Sequence, residues 1–378
     1  MAQAESPLLL SPIRLREVVS RNRIVVSPMC QYQSLDGLFN DWHLVHLGQF
    51  AIGGAGIIFC EETAIEARGR KSHNCAGIYT KKQISFRRRI NQFLTKNGSV
   101  PAIQIGHAGR VASSLPPWEG HRALNEIDAK LGLAPWRAVG PSDIPANEHS
   151  PAPHALSVRE IRKLIQTWRD ATLRAAEADY EILEIHAAHG YLIHQFLSPV
   201  SNQRQDAYGG SLSARMRFCL EVIETVRDAW PQKKPLFLRV SALDGSNQWS
   251  IEDTVALCKE AKLRGVDVVT ASSGGFAGSS VSAIVPRVPG YQVPFAERIK
   301  QDAKVMTLAV GLITEAEQAE SILEEKKADL IGLARELLWN PRWPVMAAQE
   351  LEFGYFDMLP PLYSWWLKRR EKIRALTK

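Results

Sequence analysis

Three side chains that can do chemistry fall within six residues of this chain: His186, His189 and Tyr191, in Glu-Ile-His-Ala-Ala-His-Gly-Tyr (184–191). Two imidazoles three residues apart could share a metal ion with carboxylates. They could equally donate to a carbonyl oxygen and stabilise enolate charge. Tyr191, beside them, has the form of a general acid. No His-x-His stands near the first apolar run, where a metallohydrolase barrel would carry one.

Other reactive types sit at the ends of short apolar runs. Ser-Pro-Met-Cys-Gln-Tyr (27–32) carries Cys30, which is reactive only beside a redox partner. Cys-Glu-Glu-Thr (60–63) carries Glu61 and Glu62, and Gln104 and Arg239 lie inside two further runs. An amide or guanidinium pointing into a barrel must find a hydrogen-bonding partner, and a flat heterocycle would serve. Val310-Gly311 and Ala334-Arg335 follow the last two runs, where barrels commonly bind phosphate. Together with Gln104 and Arg239 they outline a phosphorylated cofactor with a ring.

Eight β-branched runs must position these groups: 23–27, 56–61, 101–105, 180–185, 236–240, 266–271, 305–309 and 329–333. Amphipathic segments at 43–51, 82–96, 158–178, 212–229, 251–263, 294–303, 315–325 and 342–350 are predicted as helices. Ser157 with Glu160, and Thr314 with Glu317, have the spacing of capping boxes. This alternation predicts an α/β fold, a single (β/α)8 TIM barrel spanning 1–378. Residues 109–156, rich in proline and holding Trp118 and Trp136, form a long capping loop after strand 3. A doubly wound sheet would carry Gly-x-Gly-x-x-Gly after its first strand, and the chain lacks it.

The 378 residues are 45% apolar and 23% charged, with a net charge of +6. The basic runs 81–82, 87–89 and 368–370 are short and scattered, as solvated helix faces are, so nucleic acid is not an expected partner. Five cysteines without a Cys-x-x-Cys argue against zinc and disulfides and for a reducing, cytoplasmic setting. The N-terminus lacks the pattern of a signal peptide, and the longest apolar run, 55–60, is far too short for a bilayer.

From about residue 13 to 370 the chain resembles the old yellow enzymes, FMN-dependent ene-reductases, and among them the bacterial-type class. The carrying motifs are SPMCQY (27–32), EIHAAHGYLIHQFLSPVSNQR with DAYGGS (184–211) and AVGLIT (309–314). The resemblance implies bound FMN, reduced by NADPH or NADH, and a small α,β-unsaturated carbonyl substrate. Pro28, Met29 and Cys30 would line the flavin, with Cys30 near N5. Tyr32 would face the substrate. Gln104 and Arg239 would bind the pyrimidine side of the ring, and Val310, Gly311, Ala334 and Arg335 the phosphate end. His186 and His189 would hold the carbonyl oxygen. Hydride would pass from flavin N5 to Cβ and a proton from Tyr191 to Cα. Trp366, in the tail 352–378, would reach a neighbouring subunit's site in a homodimer or homotetramer.

Three positions depart from the family pattern: Glu62 stands where alanine is usual, Ala334 where glycine is, and Val111 where lysine is. On that resemblance Glu62 would lie close to the flavin edge, so an alternative net reaction on the same fold is kept: desaturation, isomerisation or oxygen-dependent oxidation. Two other classes are weighed. A tRNA dihydrouridine synthase is also a basic FMN barrel, but the His-Ala-Ala-His-Gly-Tyr run belongs elsewhere. A metallohydrolase would use His186 and His189 on zinc.

Overall fold

A computed structural model describes residues 6–276 and 285–376. The first residues of the segment read for a leader and the last two of the tail lie outside that range. The eight predicted strands form. In chain order they are β1 (Ile24–Val26), β2 (Ile57–Phe59), β3 (Val100–Gly106), β4 (Ile182–Ala187), β5 (Leu236–Ser241), β6 (Val268–Ser272), β7 (Met306–Ala309) and β8 (Leu330–Leu333). Each pairs in parallel with the next. β8 pairs with β1, which closes the sheet into a (β/α)8 barrel.

The helices that alternate with these strands are α1 (Asp41–Ile52), α2 (Ser85–Lys96), α3 (Val158–Glu177), α4 (Leu212–Ala229), α5 (Ile251–Leu263), α6 (Val293–Ala303), α7 (Ala316–Glu324) and α8 (Trp343–Glu350). Ser157 and Glu160 close a capping box on α3. The expected box on α7 does not form. Glu315 precedes that helix without a side-chain cap, and Gln318 instead accepts from Thr314 N at 3.0 Å. A glutamine one residue further on reaches the same donor, so the end is satisfied differently.

Two apolar layers hold the barrel. Val25, Ile57, Phe59, Ala102, Ile182, Phe237, Val268, Leu308 and Leu330 fill its interior. Ile24, Val26, Ile58, Ile103, Leu183 and Leu238 face the helices. Period-two alternation follows from the pleat. A short antiparallel hairpin, Ile13–Leu15 with Val18–Ser20, was not expected from sequence, and its Ile13 and Leu15 plug the interior at one end. The segment between β3 and α3 has structure of its own: a short helix, Glu126–Lys130, and a two-residue pairing of Val139–Gly140 with His154–Ala155. Trp136 Nε1 donates to Arg68 O at 3.0 Å and ties this cap to the loop after β2. The tail ends in a helix, Pro361–Leu376. Among the described residues no helix is long and apolar enough to cross a membrane.

Candidate active site

Alternation along β4 sends Ile182, Glu184 and His186 inward, and the same rule brings Gln104 and Arg239 to the interior of β3 and β5. Register then sets the neighbours. Gln104 is opposite Glu184, and His186 is opposite Arg239. Gln104 Nε2 donates to Glu184 Oε2 at 2.6 Å, and Thr270 donates to the other carboxyl oxygen. Burial pushes the Glu184 carboxyl up, with Arg239 opposing. Sequence reasoning passed over Glu184 and Thr270. Glu184 stands two residues before His186, so strand period alone could have found it.

Arg239 is a guanidinium at the mouth whose Nε makes no hydrogen bond among the described residues. His186 Nδ1 is likewise buried and unbonded. Such orphans in a native site call for a ligand. A cleft continues from Arg239 past Pro28 and Tyr291 to Gly311, Ala334 and Arg335. Gly311 has a φ of +110°, and a Cβ there would stand 2.8 Å from Gln292 Nε2. Only glycine suits that turn. Ala334 has a φ of −125°, so the turn does not use the positive φ that would require the family's glycine. Arg335 is exposed at the start of a short helix, Arg335–Trp339.

His189 and Gly190 turn the chain after β4, with φ of +58° and +74°. The loop after β6 meets this turn backbone to backbone: a Cβ on Gly190 would stand 2.4 Å from Gly275 O. Ser241 Oγ accepts from His189 N at 3.0 Å, and His189 Nε2 lies 2.7 Å from Ser272 Oγ. The rings of His186 and His189 are 5.1 Å apart, and Tyr191 is 4.6 Å from His186. Burial, reinforced by Arg239, holds both imidazoles well below their usual pKa, so both are neutral. Burial first, then the Cys30 thiol and Glu62, pushes the Tyr191 phenol well up.

Cys30 and Tyr32 arrive from the loop after β1. That loop is fixed by Glu61, whose Oε2 accepts from Gln31 N at 3.1 Å while Oε1 pairs with buried His43 at 3.1 Å. Burial, with Cys75, Glu61 and Glu62 adding, raises the Cys30 pKa, so it is a thiol and not a thiolate. Met29 packs partly buried on the core. Tyr32, at a φ of +54°, meets Trp118 of the cap edge-on at 5.1 Å. Glu62 is buried, and neither of its oxygens is hydrogen-bonded among the described residues. Trp366 is exposed on the tail helix, packed edge-on against Trp365 at 4.5 Å, and is not among the cleft's lining. Among the described residues no group of three or more His, Cys, Asp and Glu is placed to hold a metal ion.

Known proteins share this architecture. A profile of the NADH:flavin oxidoreductase / NADH oxidase family matches residues 8–353. The NADPH dehydrogenase of Geobacillus sp. (strain WCH70) is 42% identical over 347 residues, covering 91% of this chain and 94% of its own. That of Geobacillus thermodenitrificans is 42% identical over the same span. Among solved structures, morphinone reductase in complex with tetrahydroNAD superposes with a TM-score of 0.74 at 24% identity, over 91% of both chains. A 2-naphthoyl-CoA reductase complex gives 0.81 at 22%, covering 91% of this chain and 52% of that one. The chain belongs to the NADH:flavin oxidoreductase / NADH oxidase family and is an NAD(P)H-dependent, FMN-using oxidoreductase of the old yellow enzyme group.

Proposed function

We propose that the protein reduces the activated C=C bond of α,β-unsaturated carbonyl compounds. The observation that carries this reading is the neutral pair His186 and His189, with Tyr191 4.6 Å from His186 and Arg239 in register with it. The orphaned Arg239 Nε and the glycine-built turn at Gly311 fit a ring with a phosphate tail. Gln104 and Arg239 would hold the ring, Pro28 and Met29 would line it, and Gly311, Ala334 and Arg335 would hold the phosphate. Bound FMN supplies the hydride chemistry.

The protein's own task is to manage charge and a proton. Addition at the β-carbon builds negative charge on the substrate's carbonyl oxygen. His186 and His189 offer two donors fixed in advance, each typically worth about 2.7–4 kcal/mol in such a site. Neutral imidazoles suit this role, because they stabilise an enolate without fully protonating it. Tyr191 keeps its proton across the working range and delivers it to the α-carbon. The cap, through Trp118 on Tyr32, closes the substrate side.

Anaerobic mixing of the NADPH-reduced enzyme with 2-cyclohexenone tests the reading. Rapid reoxidation of the flavin is the expected result. A flavin-loaded protein that is reduced by NADPH yet ignores a panel of enones would displace it in favour of desaturation or isomerisation.

A further inference from the structure

Glu62 is a buried acid that the proposed reaction leaves idle. The residue before it, Glu61, is fully engaged with Gln31 and His43. Both oxygens of Glu62 are sealed from solvent, and neither has a partner among the described residues. Its position is specific. Thr63–Ala64 pairs with Ile105–Gly106 of β3, which carries the chain across the top of that strand. A Cβ on Gly106 would stand 2.3 Å from Glu62 Oε1, so glycine leaves the room that the carboxyl fills. Gly106 is two residues beyond Gln104 and shares its face. The Glu62 carboxyl therefore ends on the strand face that carries the amide assigned to the ring in the flavin reading.

Titratable neighbours surround it from every side: Glu61 and Lys71 from the chain after β2, Cys75 beyond them, Cys30 and Tyr32 from the loop after β1, and Tyr191 from the loop after β4. Lys71 is the cation among them, and it forms no ion pair with Glu62 among the described residues. A buried carboxyl without a cation or a donor favours its neutral form. Here burial, with Glu61 adding and Lys71 opposing, pushes it up to about 8. A neutral carboxyl is a hydrogen-bond donor, and no acceptor among the described residues receives its proton.

We propose that Glu62 binds the flavin ring as a neutral carboxylic acid, donating a hydrogen bond to it, and loses that bond when it ionises. The inference rests on the flavin occupying the cleft at the ends of β1, β3 and β5. An ionised Glu62 would also face the negative charge of the reduced ring, so ionisation weakens cofactor binding and lowers the reduction potential together.

The test compares holoenzyme of the wild type, Glu62→Gln and Glu62→Ala from pH 6 to 9.5. Released FMN, read by its fluorescence on dilution, gives the dissociation constant, and a redox titration gives the midpoint potential. In the wild type the dissociation constant is flat at low pH and rises about tenfold per pH unit above the carboxyl's pKa, the slope of one linked proton. Glu62→Gln keeps a neutral donor and shows no such rise. Glu62→Ala also shows none, and binds FMN several-fold more weakly than the wild type at pH 6.5. The potential of the wild type has an inflection that both variants lack. Superimposable profiles for the wild type and Glu62→Gln overturn the inference and leave the flavin reading standing. Failure of all three to hold FMN overturns both.

Discussion

Gln104 Nε2 and Glu184 Oε2 meet across 2.6 Å inside the barrel, one layer below the imidazole of His186. That bond orients the amide and leaves its oxygen for a ligand. Glu184 also opposes the lowering that burial imposes on the Arg239 pKa. Glu184→Ala removes the acceptor and frees both groups. A buried group left unsatisfied costs about 1–3 kcal/mol, so FMN affinity should fall roughly 5- to 150-fold. Glu184→Gln keeps an acceptor oxygen and should recover part of the loss. Fluorescence titration with FMN reads both.

Tyr191 packs beside His186 at 4.6 Å and keeps its proton. Tyr191→Phe preserves the ring and deletes the acid. Positioned proton transfer contributes about 10²–10⁴-fold, and reoxidation of the reduced flavin by an enone should slow by that order. Flavin reduction by NADPH should not change. Stopped-flow absorbance separates the two half-reactions, and equal slowing of both would remove Tyr191 from the acid's role.

The barrel was legible because parallel strands buried on both faces read as short apolar runs, and the amphipathic segments between them kept a helical period. His186, Arg239 and Gln104 were legible as polar residues inside those runs. Their pairing was not, because Glu184 meets Gln104 only through a register that no single strand contains. The hairpin Ile13–Leu15 with Val18–Ser20 escaped because three-residue strands give no period to detect. The tail helix Pro361–Leu376 escaped because its apolar residues form no buried stripe, and Trp365 and Trp366 stay exposed. Glu62 was visible as an unusual residue, but its lack of a partner among the described residues belongs to the packing of Gly106 against it.

Tyr32 and Trp118 link the barrel to its cap through a single edge-to-face contact at 5.1 Å. Trp118 is otherwise 66% exposed, so little else holds it. Aromatic pairs of this kind are worth about 0.5–1.5 kcal/mol beyond their area. Trp118→Ala should raise KM for the enone about 2- to 12-fold while leaving FMN affinity and the NADPH half-reaction unchanged. A change in FMN affinity would mean that the cap supports the cofactor and not the substrate side.

Several histidines are held neutral in the fold, four of them deeply buried. Burial lowers His46 and His194 to about 4, and lowers His186 and His189 well below their usual value. The unfolded chain takes up protons at these sites as pH falls below about 6.5, and the folded chain does not. Stability is therefore retained above that pH and lost below it, by roughly 1.4 kcal/mol per pH unit for each histidine. Denaturant midpoints should drop steeply between pH 6 and 4.5. KM for the enone should stay flat from pH 7.5 to 5.5, since neither imidazole changes its charge there. A step near pH 6.5 that disappears in His189→Asn would show a protonated imidazole at the carbonyl oxygen.

Glu62 acts on stability with the opposite sign. Its folded pKa lies near 8, against 4.5 for the free side chain. Below 4.5 both states are protonated and the burial carries no linked penalty. Between 4.5 and 8 the unfolded chain ionises while the folded one does not, so stability is lost as pH rises to about 8 and then levels off. Glutamine mimics the neutral acid and removes this dependence. The stability advantage of Glu62→Gln over the wild type, measured on flavin-free protein, should widen by about 3 kcal/mol between pH 5.5 and 8. A constant difference across that range would mean that Glu62 is already ionised in the folded protein, with a counter-charge supplied by Lys71.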